Sequence, residues 1–389
     1  MKLSFYYHSL AHKTSDNKVQ VPSYIGVFID SLANQVEHLF LLLHENAAHL
    51  SKADYIIQAN NITWINLGAK KSSWYRSLFP YKSLKTLLET PIPIDVLLVR
   101  GPSPLAPYFA KVFKPEKINY LIVGDYSESV RQGTGKGLRN RIIDKFLLWN
   151  DKKLTQVVRS SNVIVNSTSL FNKYDGKCKK LYEIKTTTLS KKDIVWREDS
   201  FINDYEEVNI LFTGRINWQK GLKELFISVS QLIKKGLQIN LHIVGWEDND
   251  NKPVEKALLA YALENGFENQ VYFHGRKKVG DELNAYYRNA QIYVLPTFHE
   301  GFPRTIWEAM ASGTPVISTP VGSIPYYLTS EVNCLLVAPR DTEQLRLAIE
   351  RIIHDDVLRR DIIANSFELV KDSTFEIQTA KLVSILQEK

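Results

Sequence analysis

The chain has 389 residues and a mass of 44.7 kDa, which two domains of ordinary size would fill. Hydrophobic residues make up 44% and charged residues 23%, a balance that excludes disordered and fibrous proteins. The apolar runs 39–43 and 95–99 are far shorter than a membrane span, and the first residues lack a signal-peptide core. With only Cys178 and Cys334 present, we expect a cytoplasmic protein and exclude secreted and membrane-spanning ones.

The positive charge is concentrated in the first half of the chain. The net charge is +7, but residues 1–190 hold 26 Lys and Arg against 14 Asp and Glu, whereas residues 191–389 hold 23 against 28. Such an asymmetry is typical of a first half that meets an anionic partner, such as a phospholipid surface, a phosphorylated acceptor or nucleic acid. A surface that is charged only for solubility would give the same count, and the charge alone leaves both interpretations open.

Apolar, β-rich runs alternate with helical patterns through the first half. Strands are predicted at 2–7, 38–43, 54–58, 62–66, 94–99, 118–123 and 162–165, and helices at 23–34, 74–89, 104–113 and 137–158. In the helix at 137–158 and in the segment 74–88, basic residues are interleaved with aromatic ones. This pattern predicts either an amphipathic helix on the inner face of an anionic membrane or a core-packing helix with a solvated face.

The second half repeats the same alternation more regularly. Strands are predicted at 209–213, 239–244, 271–274, 292–296, 315–318 and 335–337, with helices at 220–235, 253–265, 280–289, 304–312 and 341–354. Near-continuous apolar strands separated by helices predict parallel sheets covered on both faces. We therefore predict two α/β domains with doubly wound parallel sheets, residues 1–190 and 208–372. A linker at 191–207 joins them, and a helix in 373–389 could pack back onto the first domain.

Two segments of the second half carry candidate chemistry. Gly214 and Arg215 follow a predicted strand, and Lys220 lies five residues later at the start of a helix, so two cations can flank an anion such as a pyrophosphate. Further along, Glu300 ends a loop and Glu308 lies one turn into the following helix. The amides of that helix N-terminus suit a phosphate, and the two carboxylates suit sugar hydroxyls.

These segments together resemble a known family. FTGRINWQKGL (212–222), HEGFPRTIWEAMASGTPVIST (299–319) and VGSIP (321–325), in this order, are similar to the C-terminal domain of the family 4 retaining glycosyltransferases, also described as glycosyl transferases group 1. The resemblance implies the GT-B fold, two Rossmann-like domains facing across a cleft. It also implies a nucleotide-sugar donor on the second domain, an acceptor on the first, and no metal or other cofactor.

The resemblance assigns roles to particular residues. Arg215 and Lys220 would bind the donor diphosphate and stabilise the departing nucleotide, Glu300 would contact the donor sugar, and Glu308 would bind the ribose. The first three are the predicted catalytic residues. The complete donor-binding set comprises Gly214, Arg215, Lys220, Val244, Gly245, Gly275, Arg276, Glu300, Gly301, Phe302, Pro303, Arg304, Thr305 and Glu308.

The sequence also departs from the family pattern. Tyr326 and Tyr327 follow Pro325 where many members have a glutamate, and the first domain lacks a Gly-Gly loop after its first strand. The acceptor-side candidates are therefore only His8, Arg100 and Asp125, which lie at or after predicted strands. Asp248-Asn249-Asp250 matches a metal-binding triplet of other glycosyltransferases, but its polar surroundings favour a solvated turn.

The predicted function is transfer of a sugar from a nucleoside diphosphate, UDP or GDP, to a saccharide or lipid-linked saccharide. The expected pathway is capsule, exopolysaccharide or lipopolysaccharide assembly, with the protein in the cytoplasm or peripheral on its membrane. A nucleotide-sugar epimerase or glycosyl phosphorylase of the same fold is one alternative, and a non-catalytic nucleotide-sugar or glycan-binding protein is another. No nucleic-acid recognition motif accompanies the basic half, so nucleic acid is not an expected partner.

Overall fold

The chain forms two compact units. The computed structural model describes residues 1–45, 54–89, 92–114, 117–131, 137–201 and 207–388. Unit 1 comprises Met1–Thr186 with Phe375–Lys389, and unit 2 comprises Thr187–Thr374. Within these described ranges, every helix is too short or too polar to cross a bilayer.

Unit 1 is a parallel sheet with helical connections. Its strands are β1 (Lys2–Lys13), β2 (Val19–Val21), β3 (His38–Glu45), β4 (Tyr55–Ile56), β5 (Ile62–Ala69), β6 (Val96–Gly101), β7 (Ile118–Ile122), β8 (Asn162–Val165) and β9 (Lys180–Glu183). Its helices before unit 2 are α1 (Ser23–Ala33), α2 (Ser73–Leu78), α3 (Pro80–Ser83), α4 (Lys85–Glu89), α5 (Tyr126–Arg131), α6 (Leu138–Val157) and α7 (Thr168–Tyr174). The parallel strands lie in the order β5-β3-β1-β6-β7-β8-β9, and β2 and β4 add antiparallel pairs at the end of β1.

The sheet of unit 1 is buried on both faces because its strands are apolar at successive positions. Successive side chains of a strand point to opposite faces. Leu98 therefore packs in the cluster that also contains Phe5 and Leu41, whereas its neighbours Leu97 and Val99 pack in a second cluster. Two separate cores, one on each face, hold this sheet between layers of helices.

Unit 2 is a six-stranded parallel sheet. Its strands are β10 (Val208–Arg215), β11 (Ile239–Trp246), β12 (Val271–Gly275), β13 (Ile292–Leu295), β14 (Val316–Ser318) and β15 (Leu335–Leu336). Its helices are α8 (Leu222–Lys234), α9 (Pro253–Glu264), α10 (Asp281–Asn289), α11 (Arg304–Ala311), α12 (Ile324–Tyr327), α13 (Thr342–His354) and α14 (Asp356–Lys371). The strand order is β12-β11-β10-β13-β14-β15, so the order reverses at β10. In such sheets ligands bind beyond the carboxyl ends of the strands, beside this reversal.

The last helix of the chain, α15 (Phe375–Gln387), belongs to unit 1. It packs against α1, where the hydroxyls of Ser31 and Thr379 are 2.7 Å apart. Leu382 and Leu386 lie in the same core cluster as β1 and β3. The chain therefore leaves unit 1 once and returns to complete it.

The segment predicted as a linker, 191–207, is part of unit 2 across its described residues, and residues 202–206 lie outside them. Its polar residues have partners in the unit. Asp199 pairs with Arg359 at 2.6 Å, and Arg197 donates to the carbonyl of Arg288 at 2.7 Å. The weak periodicity that predicted a linker instead reflects a segment fixed by hydrogen bonds and ion pairs rather than by an apolar face.

Candidate functional site

The carboxyl edge of unit 2, formed by the ends of β10 to β13 and the start of α11, brings most of the predicted donor-side residues together. Gly214 is in register with Gly245 on β11, and Val244 is in register with Gly275 on β12. Gly245 has a φ of +157°, and a Cβ there would lie 1.7 Å from the carbonyl oxygen of Gly214. Only glycine fits this close approach, which explains its place at the end of β11.

Lys220 and Glu300 form an ion pair at this edge. Lys220 ends the short 3₁₀ helix Trp218–Lys220 before α8, and Glu300 lies in the loop between β13 and α11. The Lys220 Nζ donates to Glu300 Oε1, and the two side chains are only 15% and 16% exposed. A second contact joins the same loops, since the Phe298 amide donates to the Gln219 carbonyl at 2.8 Å. The structure thus places two of the three predicted catalytic residues in direct contact.

Arg215 lies at the same edge but is more exposed. Its side chain is 58% exposed, and its guanidinium lies 3.8 Å from Asp248 Oδ2. Asp248 also accepts a hydrogen bond from the Trp246 indole at 3.1 Å, and Arg276 lies over the Trp246 ring with 5.2 Å to the centroid. Two arginines, one at the end of β10 and one directly after β12, therefore flank the end of β11, where an anion could contact both.

The turn that leads into α11 is held by a second glycine. Gly322 has a φ of +58°, and a Cβ there would lie 1.7 Å from the Glu300 carbonyl oxygen. The Ser323 amide donates to the Gly301 carbonyl at 2.8 Å. Phe302 stacks on Trp307 with 4.4 Å between ring centroids and meets the edge of Tyr327 at 4.9 Å. Tyr327, a departure from the family pattern, therefore packs behind the turn.

The turn also fixes where α11 begins. Pro303 precedes the first helical residue, Arg304, and Thr305 follows in the first turn. The first amides of a helix have no intrahelical acceptor and carry its positive dipole end, so this turn suits an anionic group. The predicted phosphate-binding residues thus lie beside Glu300.

Glu308 is buried and held by two hydroxyl groups. Its side chain is 6% exposed, Thr188 Oγ1 donates to Oε1 at 2.6 Å, and the Tyr287 hydroxyl donates to Oε2 at 2.8 Å. Burial, followed by the Glu308 charge, raises the pKa of Tyr287 well above its ordinary value, so this hydroxyl stays protonated as a donor. Thr188 and Tyr287 are 120 and 21 positions away, and no motif marks them. Ribose binding by Glu308 stays a prediction.

Of the acceptor-side candidates in unit 1, His8 lines a cavity of about 450 Å³, together with Lys70, Lys71, Arg76 and Tyr126. Burial, followed by the charges of Lys70 and Arg76, lowers the pKa of His8 to about 3. No motif marks Lys70 or Lys71, whereas Arg76 lies in the basic–aromatic segment 74–88. They lie at the end of β5 and in α2, far in sequence from His8 on β1.

The other two candidates are engaged by neighbours. Arg100 lies over the Tyr7 ring with 4.5 Å to the centroid. Asp125 pairs with Lys173 at 2.6 Å and accepts hydrogen bonds from Ser127. Burial raises the pKa of Asp125, but the bonds from Lys173 and Ser127 outweigh it, and the pKa falls below its usual value. Asp125 is therefore an ionised partner of Lys173.

Comparison with known proteins relates unit 2 to glycosyltransferases. The family model described as Glycosyl transferases group 1 matches residues 195–369. An uncharacterized glycosyltransferase of Methanocaldococcus jannaschii is 29% identical over 204 residues, 51% of this chain and 50% of the relative. The capsular polysaccharide biosynthesis glycosyltransferase CapM of Staphylococcus aureus is 28% identical over 49% of this chain and 47% of its own. The matches thus span about half the length of these relatives.

A third relative and two solved structures match more of the chain. The N,N'-diacetylbacillosaminyl-diphospho-undecaprenol alpha-1,3-N-acetylgalactosaminyltransferase of Campylobacter jejuni is 22% identical over 83% of this chain and 75% of the relative. Sucrose-phosphate synthase of Thermosynechococcus elongatus superposes with a TM-score of 0.73 at 18% identity, covering 99% of this chain and 98% of that one. Anabaena HepE, solved in complex with UDP-glucose, gives 0.72 at 16% identity, covering 99% and 100%.

The structural likeness extends over both units and shows the predicted GT-B fold. The family match covers the segment that carries Arg215, Lys220, Glu300 and Glu308. Over residues 195–369, unit 2 is therefore similar to the glycosyl transferases group 1 family.

Proposed function

We propose that the protein is a retaining, metal-independent glycosyltransferase of the family 4 type. It transfers a hexose-type sugar from a nucleoside-diphosphate sugar to a saccharide or lipid-linked saccharide in the assembly of cell-surface polysaccharide. The observation that carries the proposal is the Lys220–Glu300 ion pair beside Arg215 at the carboxyl edge of unit 2. The names of the Staphylococcus and Campylobacter relatives support the capsule-related pathway and the lipid-linked acceptor.

The site has the groups that departure of a nucleoside diphosphate needs. Negative charge develops on the diphosphate as the glycosidic bond breaks, and preorganised cations stabilise it. Lys220 is already held in place by Glu300, whereas Arg215 is exposed and lies 3.8 Å from Asp248 Oδ2. We infer that Lys220 binds the diphosphate in a fixed position and that Arg215 leaves Asp248 to join it. The second oxygen of Glu300 would then accept a hydrogen bond from a donor-sugar hydroxyl.

A UDP-sugar is the donor we favour, with a GDP-sugar as the other option. The complex of Anabaena HepE with UDP-glucose supports UDP, because that protein shares the fold over 99% of this chain. The same edge in unit 2 offers Arg276 directly after β12 and Trp246 at the end of β11, a cationic surface for a phosphate and an aromatic surface for a base.

Calorimetric titration with UDP, GDP, ADP, dTDP and CMP in the presence of EDTA tests the donor site. We expect one diphosphate to bind selectively without metal, and Arg215→Ala to weaken that binding at least tenfold. Lys234→Ala is a matched control because Lys234 ends α8, about 18 Å along the helix from its first residue. Equal binding by Arg215→Ala and the control would contradict the assigned site.

A membrane surface is the second part of the proposal. α6 exposes Leu138, Ile142 and Trp149, with exposures of 77%, 50% and 39%. Trp74 of α2, 43% exposed, stacks on Phe146 with 3.8 Å between ring centroids. Basic residues surround these side chains on α6, namely Arg139, Arg141, Lys145, Lys152 and Lys153. We call this the aromatic–basic surface, and we infer that it binds the inner face of the cytoplasmic membrane.

Vesicle sedimentation tests the membrane proposal. The wild-type protein should sediment with phosphatidylglycerol vesicles and not with phosphatidylcholine vesicles, and Leu138→Ser with Ile142→Ser should reduce sedimentation severalfold. Leu347→Ser is the control, since Leu347 is 48% exposed on α13 in unit 2. A protein that ignores anionic vesicles and glycosylates only soluble acceptors would exclude a membrane role.

A further inference from the structure

The cavity in unit 1 is built by the middle of β1 and by the segments that follow the parallel strands β5, β6 and β7. It has a volume of about 450 Å³. His8 lies in the second half of β1, Lys70 and Lys71 follow β5, and Tyr126 follows β7. Pro102 and Pro104 follow β6 and complete one wall. None of the described residues that line the cavity is acidic.

A buried guanidinium forms part of this cavity. Arg76 is 4% exposed, its Nε donates to the Lys71 carbonyl at 3.1 Å, and its Nη2 donates to Ser73 Oγ at 3.3 Å. Its Nη1 is buried and has no hydrogen-bond partner within the described part of the chain. Among the described residues, no carboxylate forms an ion pair with Arg76. A buried charge without a counter-ion is costly, so this group is suited to an anion that enters the cavity.

The positive charges are close enough to repel one another. Desolvation at the cavity wall, followed by the Arg76 charge, lowers the pKa of Lys70 although much of its side chain is exposed, and the same two cations act on His8 after its burial. A bound anion would relieve this repulsion, because it adds an opposite charge where only like charges meet. The field in the cavity therefore favours a ligand with more than one negative charge.

We propose that this cavity binds a phosphate group of the acceptor, through Arg76, Lys70 and Lys71. A guanidinium with a free N–H and two ammonium groups match the several oxygens and charges of a phosphate. The inference rests on the proposed function, in which unit 1 takes the acceptor, and it narrows the acceptor to a phosphorylated one. Trp74, between Lys71 and Arg76 in the chain, belongs to the aromatic–basic surface, so a phosphate in the cavity lies close to where a lipid would be.

Pyrophosphate titration by calorimetry, with EDTA present, tests the cavity separately from the donor site. The wild-type protein should bind about two equivalents, one in the cavity and one at the carboxyl edge of unit 2. Lys70→Gln with Lys71→Gln should weaken one class of sites at least tenfold, and Arg215→Ala with Lys220→Ala should weaken the other. Lys111→Gln, an exposed lysine of unit 1 outside the cavity, should change neither.

The wild-type protein, the two double variants and Lys111→Gln together distinguish a failure of the cavity inference from a failure of the proposed donor site. Both lysines of the cavity are exposed, so their replacement should leave the fold intact, which circular dichroism checks. If the cavity variant keeps both classes of binding, the cavity inference is wrong and the donor site stands. If the unit 2 variant keeps both classes, the donor site of the proposed function is wrong.

Vesicles distinguish the source of the phosphate. Phosphatidylcholine vesicles that contain farnesyl diphosphate present a lipid diphosphate, and phosphatidylglycerol vesicles present a headgroup phosphate. We expect the cavity variant to lose sedimentation with the farnesyl diphosphate vesicles and to keep it with phosphatidylglycerol, which binds the aromatic–basic surface. The opposite result would assign the cavity to phospholipid headgroups and overturn an acceptor phosphate.

Discussion

Lys220 and Arg215 lie at one edge of the sheet but differ in what surrounds them. Replacing Lys220 by alanine removes a cation from a largely buried pair and leaves Glu300 without its counter-ion, whereas Arg215 is exposed. Either change should cost transfer on the order of 2–4 kcal/mol in the transition state. Only Lys220→Ala should also lower the free energy of unfolding, since exposed substitutions change it by about 0.5 kcal/mol or less.

Steady-state kinetics with a labelled donor and urea denaturation of both variants measure the two effects. Lys220→Arg, which keeps the charge, should recover stability better than activity. Full activity in both alanine variants would show that the diphosphate binds elsewhere.

Tyr287 is a residue that positions Glu308. Tyr287→Phe removes the donor to Oε2 of a buried carboxylate, and the hydrogen bond to a charged group should be worth about 1.5–3 kcal/mol of stability. Tyr293→Phe is the matched control, because Tyr293 is equally buried and bonds to Thr213 rather than to Glu308. Urea denaturation gives the stability, and UDP titration shows whether nucleotide affinity falls in Tyr287→Phe alone. Equal effects in the two variants would mean that the Glu308 contact has no special role.

The sequence could indicate only those site residues that a motif carries. Lys220 and Glu300 were predicted because their neighbours match a pattern, and the structure places them in contact. Thr188 belongs to no pattern, and the basic–aromatic segment 74–88 does not show that its Arg76 lines a cavity, because each role depends on which loops the sheet of its own unit brings together. The burial of the Glu308 carboxylate could not be predicted either, because hydrophobic periodicity places Glu308 on a helix but does not show that it contacts Tyr287.

At the scale of elements, α15 should contribute to the stability of unit 1 and not of unit 2. Leu382→Ala leaves a cavity in the core beside β1 and β3, which should cost about 2–5 kcal/mol. Hydrogen exchange followed by mass spectrometry separates the two units, and we expect faster exchange in β1, β3 and α1. Leu347→Ala, at an exposed position of α13, is the control. Uniform loss of protection in both units would show that they unfold together.

Elements were predicted correctly where an apolar run was long. Prediction failed where a single residue ended a helix, or where a strand lay at the polar edge of a sheet. In unit 2 the strand predicted at 239–244 is Ile239–Trp246. The helix predicted at 74–89 is three short helices, because Pro80 begins a new one after Leu78. The helix predicted at 104–113 is a 3₁₀ helix at Ala106–Lys111. The polar edge strand Lys180–Glu183 and the helix Asp356–Lys371 have mixed patterns and were missed.

For the whole molecule, buried histidines should make the fold sensitive to mild acid. Burial, followed by nearby positive charges, lowers the pKa of His8 to about 3 and of His44 to about 4; burial, then His274, lowers that of His242 to about 4. An unfolded histidine titrates near 6.5, so the unfolded chain binds more protons below that pH. The free energy of unfolding should therefore be highest above pH 6.5, and it should decrease as the pH falls from 6.5 toward 4.

Urea denaturation between pH 4 and 8 measures this slope. His8→Gln with His44→Gln should flatten it relative to the wild type, since two of the groups that take up protons on unfolding are removed. A wild-type stability that stays constant from pH 7 to 5 would show that the buried histidines accept protons without unfolding.

The return of the chain to unit 1 through α15 has a consequence for biosynthesis. Unit 2 is continuous in sequence, whereas unit 1 needs residues 375–387 to complete the core against α1. Synthesis of unit 2 is therefore complete before synthesis of unit 1, although unit 1 is begun first. A chain that ends at residue 374 should accordingly hold a protease-resistant unit 2 and a protease-sensitive unit 1.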